Sequence, residues 1–421
     1  MKVPLISFCF FAFFLILTCY SASAELYGGY ANLSTTWTNN DSLTVNIFSQ
    51  DNIIVRPILY GRKFGEQGFA CGFLYNGTNM LSYQFAIFVA QIFSDFVYPQ
   101  VVIWSANRDH EVGNGAILNF TATGDLVLQD VDGSIVWTTN TRGKSVAGMN
   151  LTDTGNLVLF DVSGSVVWQS FDYPTDCLVL GQRLYQGQQL VPSVSSTNST
   201  AQKGLFNLQV TDDSLVAYVG SRPAQAYHSY PFIRNDTYKG RRYIRFLNGS
   251  LSFYIFSAEP DDSEFVIPIP QASPFQFIKL MPNGHLKLFD WQSDEFRVMH
   301  DFFSDNNGLG ECGYPLACGR NCICSINQQC SCPVSTSHRE NYYFRPVDNY
   351  NPDLGCSEIT PVTCDSKQDQ DFVTIENLMC FTYFTSYPDM DMVNMETCKE
   401  ACLNNCSCAS PTSPLILTWI W

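Results

Sequence analysis

The chain has 421 residues, 46% of them hydrophobic and 14% aromatic, which suffices for the cores of about two to four domains and is too apolar for a disordered protein. Its net charge is −16 with only 23 Lys and Arg, so the clustered basic side chains that bind phosphate are missing and nucleic acid is excluded as a partner. A strong negative charge instead suits an extracellular protein kept in solution by its own repulsion.

The first segment, residues 1–24, reads as a secretory signal peptide. Lys2 supplies the positive start, "VPLISFCFFAFFLILTC" the apolar stretch, and Ala22–Ala24 ("ASA") a small-residue cleavage site that leaves Glu25 as the new N-terminus. Nine N-x-S/T sequons agree with passage through the secretory pathway: Asn32, Asn40, Asn76, Asn119, Asn150, Asn198, Asn235, Asn248 and Asn405. No later stretch has the roughly 20 apolar residues of a spanning helix, so a secreted, apoplastic or cell-wall location without a transmembrane segment is expected.

Next comes an internal repeat. "TGDLVLQDVDGSIVW" at 123–137 returns as "TGNLVLFDVSGSVVW" at 154–168. Each copy has a strand-length apolar run, a D-x-x-G-S turn and a second short strand, which predicts a hairpin. "VVIWSANRD" ends an earlier strand in the same way, so Trp104, Trp137 and Trp168 recur at spacings of 33 and 31 residues. A small sheet cannot bury its own apolar face, and three such units closing around a shared centre would bring the three tryptophans into one core. After the Ser/Thr-rich stretch "VPSVSSTNST" (191–200), strand-like runs resume from 204 to 303, and "NGHLKLFDW" (283–291) echoes "TGDLVLQD". Beyond residue 304 the strands give way to loops. Thirteen of the fifteen cysteines outside the signal segment lie within 312–408, and in an oxidising compartment they are disulfide candidates: Cys312, Cys318, Cys324, Cys330, Cys332, Cys356, Cys364, Cys380, Cys398, Cys402, Cys406 and Cys408, with Cys322 as an extra.

"VVIWSANRD", "GDLVLQDVDGSIVWTTNT", "GNLVLFD" and "VVWQSFDYPTDCLVLGQ" resemble the bulb-type lectin domain of plant S-domain receptor kinases. "CGYPLACG", "CSCP", "YFRPVD" and "NPDLGCSEITPVTC" are similar to the secreted epidermis-specific glycoproteins and their receptor-kinase relatives within that family. The resemblance implies an all-β, multi-domain fold: a β-prism II bulb-type lectin domain (25–180), a second lectin-like, S-locus-type β domain (181–305), an EGF-like cysteine-rich segment (306–355) and a partial PAN/apple module (356–421). Relatives carry a glycine where Cys322 stands. "METCKEACLNNCSC" matches only the first half of a PAN module, so the apolar tail "PLILTWIW" is expected to lack its usual packing partners.

Bulb-type lectins hold mannose with Q-x-D-x-N-x-V-x-Y on a strand, where period-two spacing puts all five side chains on one face. One copy here reads Thr152, Thr154, Asn156, Val158, Phe160, keeping only Asn and Val. The other reads Thr121, Thr123, Asp125, Val127, Gln129, keeping only Val with Asp in place of Asn. The run Met281, Asn283, His285, Lys287, Phe289 keeps nothing. Each lost hydrogen bond to a charged group removes roughly 1.5–3 kcal/mol, so mannose affinity at these degenerate carbohydrate positions is expected to be absent or weaker than millimolar.

No G-x-S-x-G, H-E-x-x-H, P-loop or kinase motif occurs, and the five histidines are scattered, so no catalytic residues and no enzyme activity are expected. Adjacent C-x-C pairs in a secreted chain favour disulfides over zinc; no metal or cofactor is expected. The function expected is non-catalytic recognition of a glycan, a cell-wall polysaccharide, a peptide or a receptor ectodomain. The alternatives are a truncated ectodomain of a lectin S-receptor-like kinase and a structural wall glycoprotein without a specific ligand.

Overall fold

The computed structural model describes residues 29–43, 54–61, 66–75, 82–92, 97–195, 198–220, 224–232, 238–271, 275–304, 310–325, 327–334, 343–359, 372–376, 394–404, 412–413 and 416–420. The signal segment, the sequons at Asn76, Asn235 and Asn405, and Cys364, Cys380, Cys406 and Cys408 lie outside these residues. The described chain is almost entirely β, and its one α-helix is Met395–Asn404.

The chain forms two compact units. The first comprises 1–202, 235–279 and 288–300; the second comprises 203–234, 280–287 and 301–421. In the first unit, alternation decides which side of each short strand turns inward. Leu126 and Leu128 are fully buried while Val127 and Gln129 between them are half-exposed, as a half-buried strand requires. Three antiparallel four-stranded sheets result. Sheet I orders Tyr30–Asn32, Val146–Leu151, Leu157–Asp161 and Val166–Gln169. Sheet II orders Thr35–Thr38, Ile117–Phe120, Leu126–Gln129 and Ile135–Thr138. Sheet III orders Ile54–Tyr60, Glu66–Tyr75, Tyr83–Ile92 and Val97–Ser105. The two sequence repeats are the outer hairpins of sheets I and II, as their pattern predicts.

Each sheet places one tryptophan on its last strand. Trp104, Trp137 and Trp168 meet edge to face, with centroids 5.9, 6.1 and 5.8 Å apart around the triangle. Trp104 and Trp168 are 5% and 6% exposed, and the half-buried Trp137 packs against the same core. Trp104 Nε1 donates to the Tyr173 carbonyl at 2.8 Å, which satisfies the indole that burial would otherwise strand. The shared core inferred from the 31–33-residue spacing is therefore present.

Residues 177–301 contribute three more four-stranded sheets. One of them, within the first unit, runs Arg183–Tyr185, Tyr243–Leu247, Ser250–Tyr254 and Phe265–Pro268. In the second unit Phe206–Val210, Ser214–Val219 and Gln225–Pro231 pair antiparallel in sequence order. The cysteine-rich stretch that follows holds disulfides Cys312–Cys324, Cys318–Cys330 and Cys332–Cys356. The six cysteines thus pair first to third, second to fourth and fifth to sixth.

One sequence expectation needs correcting. Cys398, counted among the disulfide candidates, is a free, half-exposed thiol; Cys402, one turn on, is buried and disulfide-bonded, so the packed side of the helix carries the bond. In the tail, Ile416–Ile420 forms a strand whose backbone pairs antiparallel with Phe372–Glu376 and with Thr412–Ser413. A β-rich apolar run meets its backbone hydrogen-bonding needs most cheaply by joining a sheet. Cys322, the extra cysteine, is free, as are the deeply buried Cys71 and Cys177.

Candidate functional site

The three motif copies begin with one turn, built three times. Thr121 N–H donates to the Asp125 carbonyl and Gly124 N–H to the Thr121 carbonyl. Thr152, Asn156 and Gly155 repeat this, as do Met281, His285 and Gly284, all within 2.8–3.0 Å. The glycines adopt φ of +82°, +80° and +85°, a left-handed conformation that a side chain would strain. Where Gly155 sits, a Cβ would also lie 2.7 Å from the Phe69 ring.

The predicted faces form, but their polar groups are already used. The Asp125 carboxylate accepts from the hydroxyls of Thr138 (2.9 Å) and Thr139 (2.8 Å) and from the backbone N–H of Thr141 (3.0 Å). Partial burial pushes this carboxyl up, but the hydrogen bonds from Thr141, Thr139 and Thr138 outweigh it and hold the group below the usual carboxylate range. Asn156 donates to Gln169 Oε1 at 2.8 Å and accepts from Ser170 Oγ and the Phe171 N–H, both at 3.2 Å. His285 places Nδ1 2.5 Å from Asp301 Oδ2 and Nε2 3.1 Å from Glu311 Oε2, and stacks on Tyr314. Thus the third motif position, in every copy, ties its turn to the chain about fourteen to sixteen residues further on.

The remaining positions are similarly engaged. The hydroxyls of Thr121 and Thr123 lie 3.1 Å apart, and those of Thr152 and Thr154 lie 3.0 Å apart. Gln129 Nε2 donates to the Gly133 carbonyl at 2.6 Å. Val127 stays half-exposed, whereas Val158 is buried. Phe160 meets Tyr30 across sheet I, with centroids 5.8 Å apart. The two rings close over Gly148, where a Cβ would come within 2.7 Å of Phe160 Cζ and 2.8 Å of Tyr30 Oη. A sugar approaching either face would meet few donors or acceptors still free to turn towards it.

Charged groups that motif reasoning passed over prove to be structural. Asp176 is 5% exposed at its side chain and lies 3.3 Å from Lys279 Nζ and 3.7 Å from Arg108 Nη2, and it accepts from Ser193 Oγ at 2.8 Å. Arg108 also donates to the carbonyls of Ser199 and Val191, both at 2.9 Å. Glu259 takes both Arg183 and Arg245. Part of the signal for the first cluster was readable: Asp176 in "PTDCLVL" is a charge set against an apolar run, whereas Arg108 in the polar "SANRDHE" gives none. The sulfurs of Cys322, Cys332 and Cys356 lie within 4.8 Å of one another, but the last two are joined as a disulfide and offer no thiolate to a metal. Among the described residues no helix is long and apolar enough to cross a membrane.

The profile of the D-mannose binding lectin family matches residues 101–198. Over 323 residues the chain is 30% identical to EP1-like glycoprotein 4 of Arabidopsis thaliana, an alignment covering 73% of this chain and 70% of that protein. It is 27% identical to a G-type lectin S-receptor-like serine/threonine-protein kinase of the same plant, covering 73% of this chain but only 34% of the kinase. Among solved structures, a monomeric monocot mannose-binding lectin from Gastrodia elata matches 34% of this chain and 94% of its own at 16% identity, with a TM-score of 0.18.

Proposed function

We propose, from the premise that this chain belongs to the plant EP1-like glycoprotein family, that it is a secreted, non-catalytic recognition protein whose partner is a carbohydrate or a carbohydrate-bearing molecule of the wall or cell surface. The observation that carries this reading is the lectin-type body: three four-stranded sheets closed on one tryptophan triangle, in a chain whose residues 101–198 match a mannose-lectin family. The engaged side chains of Asp125 and Asn156 argue against a single mannose held at 121–129 or 152–160, and favour a longer saccharide met by a broader surface. We assign 25–180 to the lectin domain, 181–305 to the second lectin-like domain, 306–355 to the EGF-like segment and 356–421 to a PAN-like module. Location outside the cell accords with the apolar start and the density of sequons.

A glycan array probed with the secreted glycoprotein tests the proposal. Binding to oligosaccharides or wall polymers, with free mannose unable to compete, is the expected outcome. An array and wall extract that yield no carbohydrate-dependent binding would replace this reading with that of a structural wall glycoprotein.

A further inference from the structure

We propose that the two motif faces of the first unit carry the protein's own N-linked glycans, at Asn119 and Asn150, where a related lectin would hold a bound sugar. The inference rests on strand register. In sheet II Asn119 lies directly opposite Val127; in sheet I Asn150 lies directly opposite Val158. Side chains opposed in this way stand on one face with their Cβ atoms about 4.5–5.5 Å apart. Burial confirms which face. Leu118 and Phe120 beside Asn119, and Met149 and Leu151 beside Asn150, turn into the core, while both asparagines are half-exposed. Each asparagine therefore rises from the centre of its motif face, beside the half-exposed Val127 and Gln129 in sheet II, and above the buried Val158 and beside the half-exposed Phe160 in sheet I.

A second observation comes from the motif itself. In both copies the first position is Thr instead of Gln: Thr121 and Thr152. Each of these threonines is the hydroxyl residue of a sequon, Asn119-Phe120-Thr121 and Asn150-Leu151-Thr152. The same departure thus removes a sugar-binding amide and supplies a glycan acceptor on that face, twice. The third copy has Met281 at this position and Lys279 two residues before it, so it has neither, and Lys279 is committed to Asp176.

In the modification, the Asn amide nitrogen loses a proton and bonds to the anomeric carbon of a lipid-diphosphate-linked oligosaccharide. The bond from that carbon to the diphosphate oxygen breaks, and the lipid diphosphate leaves with the electron pair and takes up the amide proton. The first sugar then starts within one side-chain length of the motif valine and extends over the face. Recognition of a partner is left to the rest of the surface.

Glycopeptide mass spectrometry of protein secreted from a plant host, followed by hydroxyl-radical footprinting of the folded glycoprotein, tests both parts. Both asparagines should be occupied. Labelling of Gln129 and Phe160 should rise several-fold once an endoglycosidase has trimmed the chains to a single residue, with tryptophan emission unchanged. An unmodified Asn119 or Asn150 overturns the inference for its face, and equal labelling before and after trimming shows that the glycans stand clear and overturns the covering. The glycan array bears on partner recognition alone, so an empty array with occupied, shielded faces would refute that reading and leave this one standing.

Discussion

Replacing Asp176 by Asn should destabilise the first unit by about 3 kcal/mol. Removing one partner of a buried ion pair typically costs about 3–5 kcal/mol, because the charge left behind stays desolvated. The lower end applies here. Asn keeps the shape and can still accept from Ser193 Oγ, and Arg108 retains the carbonyls of Ser199 and Val191. Lys279, 3.3 Å away and mostly buried, loses its countercharge. For a unit of this size the loss corresponds to a fall in Tm of about 6–12 °C. Urea titration followed by the emission of the clustered tryptophans measures it. The pH dependence gives a second reading. Burial raises the Asp176 carboxyl, but the charges of Lys279 and Arg108 outweigh burial and hold it below the usual range. A carboxyl depressed in the folded state contributes stability that is complete above the unfolded value of about 3.9 and is lost as pH falls through the folded value. The gap between wild type and variant should therefore be constant from roughly pH 5 to 8 and narrow below about 3.9. Equal midpoints at neutral pH, or a gap that widens in acid, would refute the account.

Trp137→Ala should cost about 3–5 kcal/mol and shift the emission of the two remaining tryptophans, since it removes one side of the triangle; equilibrium unfolding checks this. Calorimetric titration with mannose should show binding absent or weaker than millimolar, and Asn156→Ala should leave that result unchanged while lowering stability by about 1–3 kcal/mol, because the turn loses its ties to Gln169, Ser170 and Phe171. Native alkylation should modify Cys322 and Cys398 and spare Cys71 and Cys177. Burial pushes the Cys71 thiol up to about 12 and raises Cys177 as well, so these two should react only after denaturation.

Where a pattern repeats, the fold was legible in the sequence. The D-x-x-G-S turns, the alternating leucines and the regular tryptophan spacing each encode local geometry, and two copies of the hairpin rule with a third tryptophan at matching spacing point to the closed arrangement. The motif alignment likewise located the right strands and the right side of each. What it could not show was that Asp125 and Asn156 turn to the ends of the neighbouring strands, since Thr138–Thr141 and Gln169–Phe171 come close only through hairpin register. Asp176 and Lys279 meet for a similar reason: they are about a hundred residues apart and are brought together by the pairing of Cys177–Val179 with Phe277–Lys279. The tail illustrates the opposite case, a strand-forming run whose partner, Phe372–Glu376, precedes it by about forty residues.

The order of strands in sheet I bears on how the chain can be made. Tyr30–Asn32 belongs to the earliest part of the lectin body to leave the ribosome, yet its partner is Val146–Leu151. Trp168, the last corner of the triangle, follows later still. Sheet III can form while synthesis continues, because its four strands are consecutive in the chain. Sheets I and II each wait for a distant hairpin, and until those arrive Tyr30–Asn32 and Thr35–Thr38 remain open strand edges of the kind that invite wrong pairing. Vectorial folding of this body is consequently a closure from the inside out, sheet III within sheet II within sheet I, and its most exposed moment falls just before residue 169 emerges.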